Sequence, residues 1–176
     1  MNIPEIAIIL GTLIIAYLLG AIPTAYIMCK KIANVDIREQ GSGNVGAVNT
    51  RRVLGTKYAI VVLVIDILKG VLAVLLALYV QQSFNIMTHW AVLPALNAFI
   101  VVFGHTKSIF INFTGGKGAA TGAGTLLSLH WPTGIIIILL TLLSSKLTKF
   151  RSLGIYIAVP LAAVSMWLFN QPVSYS

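Results

Sequence analysis

The stretch YAIVVLVIDILKGVLAVLLALYV, residues 58–80, decides the fold class. It is almost entirely apolar, and about 20 apolar residues are enough to cross a bilayer as a helix. Its two charged residues, Asp66 and Lys69, are three positions apart and therefore share one face of a helix, where they can form an ion pair. Such groups inside a membrane helix usually face the bundle interior. We predict a membrane helix whose buried pair is either structural or supports a nearby site.

The composition of the whole chain supports a membrane protein. Of its 176 residues, 58% are hydrophobic and only 9% are charged, whereas about a quarter of the residues of a soluble domain are charged. The N-terminus has neither a basic segment nor a small-residue cleavage site, so the first apolar run is expected to remain as a helix. The single cysteine, Cys29, excludes an internal disulfide and a cysteine-based zinc site.

Apolar runs along the chain predict an all-α, polytopic transmembrane helix bundle. We expect one integral membrane domain, residues 1–176, with about six helices, two of them too short to span alone. The predicted helices are residues 6–29, 58–80, 87–104, 117–129, 133–145 and 152–169. In the first of them, Gly11, Gly20 and Pro23 are small or kinking residues that suit close helix packing.

The basic residues predict the topology. They cluster in the connections between helices one and two, three and four, and five and six, whereas the other connections and the tail carry none. The positive-inside rule therefore places these three loops in the cytoplasm and both termini outside, in a multi-pass protein of the cell membrane. The net charge of +8 then needs no polyanion to explain it, and no basic run is interleaved with aromatic residues, so nucleic-acid binding is not expected.

The loop GSGNVGAVNTRR, residues 41–52, offers groups that bind anions. Its serine and asparagines supply hydroxyl and amide groups, its glycines allow close approach of the backbone, and its arginines match phosphate geometry. The residues concerned are Ser42, Asn44, Asn49, Gly41, Gly43, Gly46, Arg51 and Arg52. The alternatives are a flexible loop with arginines that only set orientation, and a helix cap formed by Asn49 or Thr50.

A second loop, FTGGKGAAT at residues 113–121, has similar chemistry but is not a Walker A motif, since Ile111 and Gly118 stand where that motif needs Gly and Ser or Thr. Gly115, Gly116 and Gly118 can adopt positive φ and expose backbone N–H groups, and Lys117 adds a charge. A plain glycine-rich turn is the alternative. Because both loops lie on the same predicted face, phosphate binding is favoured.

His105 follows the third predicted helix on that same face. Alone it would be expected to cap a helix or contact headgroups, but beside two phosphate-type loops it becomes a candidate for handling a proton or donating to a phosphate. His89 and His130 adjoin tryptophans on the opposite face and are typical of interfacial residues. No metal-binding or serine-hydrolase motif is present.

Three segments of the chain resemble the bacterial acyl-phosphate:glycerol-3-phosphate acyltransferases, the integral membrane family called PlsY. The segments are GSGNVGAVNTRRVLG, DILKG and GHTKSIFINFTGGKGAAT. The resemblance implies transfer of a fatty acyl group from acyl phosphate to the 1-hydroxyl of glycerol 3-phosphate, which forms lysophosphatidic acid in phospholipid synthesis. It implies no metal or other cofactor, and seven helices with the motif loops at the cytoplasmic face.

The resemblance also implies roles for the motif residues. Ser42, Arg52, His105 and Lys117 correspond to catalytic positions; Asn44, Gly46, Asn49, Gly115, Gly116 and Gly118 correspond to substrate phosphate-binding positions, and we expect Asp66 and Lys69 to support the site. The expected partners are the two phosphorylated substrates and the lipid bilayer.

The chain departs from the family pattern at Val48, Ser108 and Thr114, where the family usually has threonine, proline and a basic residue. Family members also continue through a seventh helix into a cytoplasmic segment resembling RHRENIxRL, whereas this sequence ends at NQPVSYS. The alternative interpretation is therefore a truncated or divergent, non-catalytic member that binds phosphorylated ligands. An organic-phosphate transporter is less favoured, because no inverted repeat is evident.

Overall fold

The computed structural model describes residues 3–84, 86 and 92–147, with side chains described as far as residue 139. Within these residues the chain is helical, without a strand beyond one isolated bridge between Ser108 and Thr114. The all-α fold predicted from the sequence is confirmed. The helices are α1 (Ile3–Ala21), α2 (Thr24–Ala33), α3 (Ala47–Leu54), α4 (Thr56–Ser83), α5 (Val92–Thr106), α6 (Ala119–Leu129) and α7 (Trp131–Leu147).

The predicted first helix, residues 6–29, is wrong as a single element, because it breaks into α1 and α2 at Ile22 and Pro23. Proline has no N–H to donate and its ring clashes with the preceding turn, so a helix cannot continue through it unchanged. The break exposes backbone carbonyls inside the bundle. Ser108 Oγ donates to the Ala21 carbonyl, and Lys69 Nζ donates to the Ile22 carbonyl.

The other predicted helices differ mainly at their ends. The helix predicted for residues 58–80 is α4, Thr56–Ser83, and α5 is described from Val92 to Thr106, with residues 87–91 of the predicted span outside the described part. The start predicted at Lys117 moves to Ala119, and α7 begins at Trp131, since Pro132 is compatible with a first helical turn. The sequence analysis missed α3, and the helix predicted at 152–169 lies outside the described residues.

Glycines set the closest helix crossings. A Cβ atom on Gly20 of α1 would overlap the Val101 carbonyl of α5, and one on Gly124 of α6 would overlap the Ile67 carbonyl of α4. The predicted role in close packing is therefore confirmed for Gly20. It is wrong for Gly11, which has nothing within 4 Å of such a Cβ. Small residues let helix backbones approach in this way in membrane proteins.

The outer surface is apolar. Large side chains such as Ile14, Leu72 and Phe99 are 60%, 52% and 67% exposed, which suits contact with lipid and not with water. Two helical stretches in the described part of the chain, Ile3–Ala33 and α4, are long and apolar enough to cross a bilayer. At 1.5 Å per residue the 28 residues of α4 extend about 42 Å, longer than a hydrocarbon core of about 30 Å.

The close crossing at Gly20 predicts that a larger side chain destabilises the protein at some glycines of α1 and not at others. Gly20→Val should lower the thermal midpoint of the detergent-solubilised protein, because overpacking at a backbone contact costs about 1–3 kcal/mol. Gly11→Val on the same helix should leave the midpoint within the error of the wild type. Size-exclusion chromatography of heated samples measures both, and equal destabilisation by the two variants would contradict the close crossing at Gly20.

Candidate active site

Asn49 shapes the first polar loop from inside. It lies in α3 and is completely buried, and its Oδ1 accepts a hydrogen bond from the Ser42 backbone N–H at 3.0 Å. Its Nδ2 donates to the carbonyls of Ile37 at 3.1 Å and Gln40 at 2.8 Å. The amide is thus occupied by backbone partners, which corrects the prediction that Asn49 itself holds a substrate phosphate. Its contribution is to fold the loop that carries Ser42.

The helix cap considered for Asn49 or Thr50 is also wrong. Both residues lie inside α3, which begins at Ala47 with Gly46 as its cap. Thr50 Oγ1 instead donates back to the Gly46 carbonyl at 3.1 Å. The first loop therefore ends at Gly46, and its arginines belong to the last turn of a short helix.

The turn at Gly41 brings Ser42 and Arg52 to the same exposed edge. Gly41 has a φ of +58°, a backbone conformation that residues with a Cβ rarely adopt. A Cβ at that position would overlap Asn49 Oδ1 and would lie 3.5 Å from Arg52 Cδ. Ser42 and Arg52 are both exposed, so a hydroxyl and a guanidinium flank this turn where a ligand in solution can reach them.

The second loop folds against the C-terminal end of α5. A Cβ on Gly115 would overlap the carbonyls of His105 and Thr106, and the Gly116 N–H donates to the His105 carbonyl at 3.1 Å. Of the three glycines expected to allow positive φ, Gly118 alone does so, at +76°. Gly115 and Gly116 are required instead by the close approach of the backbone.

Gly116 is where the two predicted loops meet. A Cβ on Gly116 would overlap His105 Nε2 on one side and would lie 2.6 Å from the Val45 carbonyl of the first loop on the other. The structure therefore brings both loops and His105 to one glycine. Asn44 is half-buried near this junction, and Lys117 is exposed beside it.

A buried ion pair lies behind His105. Lys69 Nζ is 2.7 Å from Asp66 Oδ1, with the side chains only 5% and 3% exposed, so the predicted pairing is confirmed. The same ammonium donates to the Ile22 carbonyl at the break between α1 and α2. His105 Nδ1 lies 3.9 Å from the same Asp66 oxygen. Asp66 is ten residues along α4, roughly 15 Å from its start, so this cluster is recessed from that end.

Arg38, counted in the sequence only as a topology charge, joins the two loops. Its guanidinium forms paired contacts with Asp36, at 2.5 Å and 3.1 Å, and lies 5.2 Å from the centre of the Tyr26 ring. It also donates to the Ile111 carbonyl, just before the second loop, at 3.3 Å. The sequence signal was the spacing of Asp36 and Arg38, two residues apart, which fits a local ion pair.

A metal site has no support within the described residues, where no group of three or more His, Cys, Asp or Glu side chains is close enough to hold an ion. The expected site residues Arg52 and Lys117 are both exposed; Lys117 directly follows Gly116, whereas Arg52 lies beside the turn at Gly41.

The Asp36–Arg38 pair predicts a dependence of stability on pH. Hydrogen bonds from Arg38 lower the pKa of the Asp36 carboxyl below its ordinary value, so the unfolded chain takes up this proton at a higher pH, about 4. The pair therefore stabilises the folded protein above about pH 4, and its contribution is lost as the pH falls through the lowered pKa. Thermal midpoints of wild type and Asp36→Asn should differ at pH 7 and converge below pH 4. A difference that stays constant with pH would contradict this.

Comparisons with known proteins identify the family of the chain. The family model described as glycerol-3-phosphate acyltransferase matches residues 10–176. The glycerol-3-phosphate acyltransferase of Shouchella clausii is 38% identical over 171 residues, covering 95% of this chain and 81% of the relative. Glycerol-3-phosphate acyltransferase 2 of Moorella thermoacetica is 42% identical over 163 residues, covering 93% and 80%.

Solved structures are similar over the same extent. The crystal structure of PlsY (YgiH), an integral membrane glycerol 3-phosphate acyltransferase, in its glycerol 3-phosphate form, superposes with a TM-score of 0.81 at 34% identity, covering 94% of this chain and 79% of that one. Its lysophosphatidic acid form gives a TM-score of 0.79 at 32% identity. These matches confirm the family and the polytopic membrane fold expected from the sequence. The chain belongs to the glycerol-3-phosphate acyltransferase family.

Proposed function

We propose that this protein transfers a fatty acyl group from acyl phosphate to the 1-hydroxyl of glycerol 3-phosphate, forming lysophosphatidic acid for phospholipid synthesis. We further propose that the two loops meeting at Gly116 bind the two substrate phosphates. The observation that carries this proposal is the packing of Gly116 between His105 of α5 and the Val45 carbonyl of the first loop. It makes one junction out of two loops that each offer groups suited to phosphate.

The groups at the junction match two phosphorylated substrates. Lys117 is an exposed cation of the second loop, and Arg52 is an exposed cation of α3, which follows the first loop. Arginine binds phosphate through a planar pair of donors, while lysine acts as a point charge. Gly115, Gly116 and Gly118 directly precede α6, whose N-terminus carries a partial positive charge. Because the Gly116 N–H already donates to the His105 carbonyl, we assign Gly116 to the close approach of the loops, and the N–H groups of Gly115 and Gly118 to phosphate. We also assign Asn44 and Gly46 to contacts with substrate phosphate. Asn49 contributes indirectly, by holding the first loop in its conformation.

The proposed reaction needs no nucleophile from the enzyme. Acyl phosphate is a mixed anhydride with a good leaving group, so the acceptor hydroxyl can attack the acyl carbon directly. The new ester bond forms as the bond to phosphate breaks, and the departing phosphate takes up the hydroxyl proton. Positioning of the two substrates and neutralisation of developing charge then supply catalysis. We assign Ser42 as a hydrogen-bonding group and His105 as a partner of the acceptor.

The position of the junction fits a cytoplasmic site at the membrane. Lys and Arg residues concentrate in the sequence around both loops, and the positive-inside rule assigns such loops to the cytoplasm. A water-soluble acceptor would reach the junction from that side, while the apolar outer surface keeps the acyl chain of the donor in lipid. The whole chain then acts as a single integral membrane domain.

A turnover assay tests the function. Protein purified in detergent should form lysophosphatidic acid from palmitoyl phosphate and radiolabelled glycerol 3-phosphate, and should give no product with palmitoyl-CoA. EDTA should leave the rate unchanged. Binding of glycerol 3-phosphate without turnover would contradict the catalytic proposal, and product formed equally well from palmitoyl-CoA would contradict the proposed donor.

The adjacent arginines give a matched test of the site. Arg52→Ala should reduce kcat/KM by about 10²-fold, the scale expected when one preorganised charge or donor is removed. Arg51→Ala removes the same charge from the neighbouring residue, which we assign to membrane orientation only, and should retain activity within about twofold. Equal losses in the two variants would mean that the charge of the loop matters but the site does not include Arg52 specifically, contrary to the proposal.

A further inference from the structure

The buried pair of Asp66 and Lys69 is more than a structural contact on α4. Burying two charges costs several kcal/mol per ion, and apolar residues of similar volume often stabilise a protein equally well. Stability alone is therefore a weak reason for the pair. Its two ends have separate neighbours. Lys69 Nζ donates to the Ile22 carbonyl of the α1–α2 break, and Asp66 Oδ1 lies 3.9 Å from His105 Nδ1.

His105 is held between this pair and the junction of the loops. Its side chain is only 9% exposed, and its Nδ1 edge faces Asp66. Its opposite edge, Nε2, lies against Gly116, next to the Val45 carbonyl. Two ionisable groups lie near the imidazole. They are the Asp66 carboxylate, 3.9 Å from Nδ1, and the Lys69 ammonium, which is paired with that carboxylate. One nitrogen thus faces a fixed anion and the other faces the proposed substrate site.

We propose that Asp66 and Lys69 are positioning residues that set the tautomer and orientation of His105. The anion beside Nδ1 favours the neutral form that carries its proton there, which leaves the Nε2 lone pair facing the junction. Nε2 then accepts a hydrogen bond from a hydroxyl of the polyol phosphate. Lys69 keeps the carboxylate in place and ties it to the α1–α2 break, so three helices fix one imidazole.

The catalytic part of this inference rests on the proposed acyltransferase function, whereas the tautomer does not. The two parts therefore separate experimentally. A positioning group aligns the acceptor hydroxyl in the transition state without adding ground-state affinity, so its loss lowers kcat more than it raises KM. A residue that acts only through His105 has no effect once the imidazole is gone, because their contributions are not additive.

Kinetics test the catalytic part. Asp66→Asn should lower kcat about 10- to 100-fold, within the range of a general acid–base or hydrogen-bonding group, with KM for glycerol 3-phosphate changed less than about threefold. Glu39→Gln, the same chemical change at an exposed position, should match the wild type. In a His105→Gln background, adding Asp66→Asn should cost less than about twofold more. An undiminished further loss in that background would overturn the positioning role.

Nitrogen NMR of the protein labelled with ¹⁵N-histidine tests the tautomer without any substrate. The His105 signals are identified by their loss in His105→Gln. The wild type should show a protonated Nδ1 and an unprotonated Nε2, and Asp66→Asn should shift the population toward the other tautomer. Protonation at Nε2 in the wild type, or no change in the variant, would overturn the inference. The expected tautomer in a wild type without turnover would contradict the proposed function and support the positioning of the ring.

Folding defects are addressed by a charge-balanced variant. Asp66→Asn leaves the Lys69 ammonium buried without its carboxylate, which is costly. The double variant Asp66→Asn/Lys69→Met removes both charges at similar volume and should give the same loss of the Nδ1–H tautomer in a protein that elutes as a single folded species. Retention of the wild-type tautomer in that variant would show that the pair does not set it.

Discussion

The contact that the rest of the site depends on is the bridge made by the Lys69 ammonium between the Asp66 carboxylate and the Ile22 carbonyl. A proline breaks the first membrane helix, and a break inside lipid leaves backbone carbonyls that must be satisfied within the protein. One is satisfied by Ser108, just after α5, and another by Lys69 from the middle of α4. The repair of the break therefore fixes the relative positions of α1, α4 and α5, and the imidazole of His105 lies where they meet.

Close helix crossings place the junction of the loops. Gly20 against Val101, and Gly124 against Ile67, allow backbone contact that a larger residue would prevent. These contacts set the position of α5 against α1 and of α6 against α4, and hence the position of the loop that joins α5 to α6. The first loop reaches that position because of two contacts. Asn49 donates a hydrogen bond to the Ile37 carbonyl, and Arg38, just before the loop, donates to the Ile111 carbonyl. A rigid helical frame thus presents two polar loops to each other, as a site for two anionic substrates requires.

The sequence was sufficient for the fold class and for the two loops, since apolar run length and glycine-rich, cationic patterns are local signals. It also indicated the pairing of Asp66 with Lys69, because three residues apart is one helix face. The break at Pro23 was missed because the apolar run continues through it, and α3 was missed because it is short and polar. The burial of Asn49 beneath the first loop and the packing of the two loops at Gly116 depend on contacts between segments distant in sequence. Spacing along the chain does not encode such contacts.

Glycerol 3-phosphate is proposed to bind where the two loops meet at Gly116. Calorimetric titration of glycerol 3-phosphate into wild type, Gly116→Ala and Gly122→Ala tests it most directly. A Cβ at Gly116 would overlap His105 Nε2, whereas one at Gly122 would lie 3.9 Å from Val102 Cγ2, an ordinary van der Waals distance. We expect Gly116→Ala to bind at least about tenfold more weakly, or ~1.4 kcal/mol, and Gly122→Ala to bind as the wild type does. Wild-type affinity in Gly116→Ala would contradict the account.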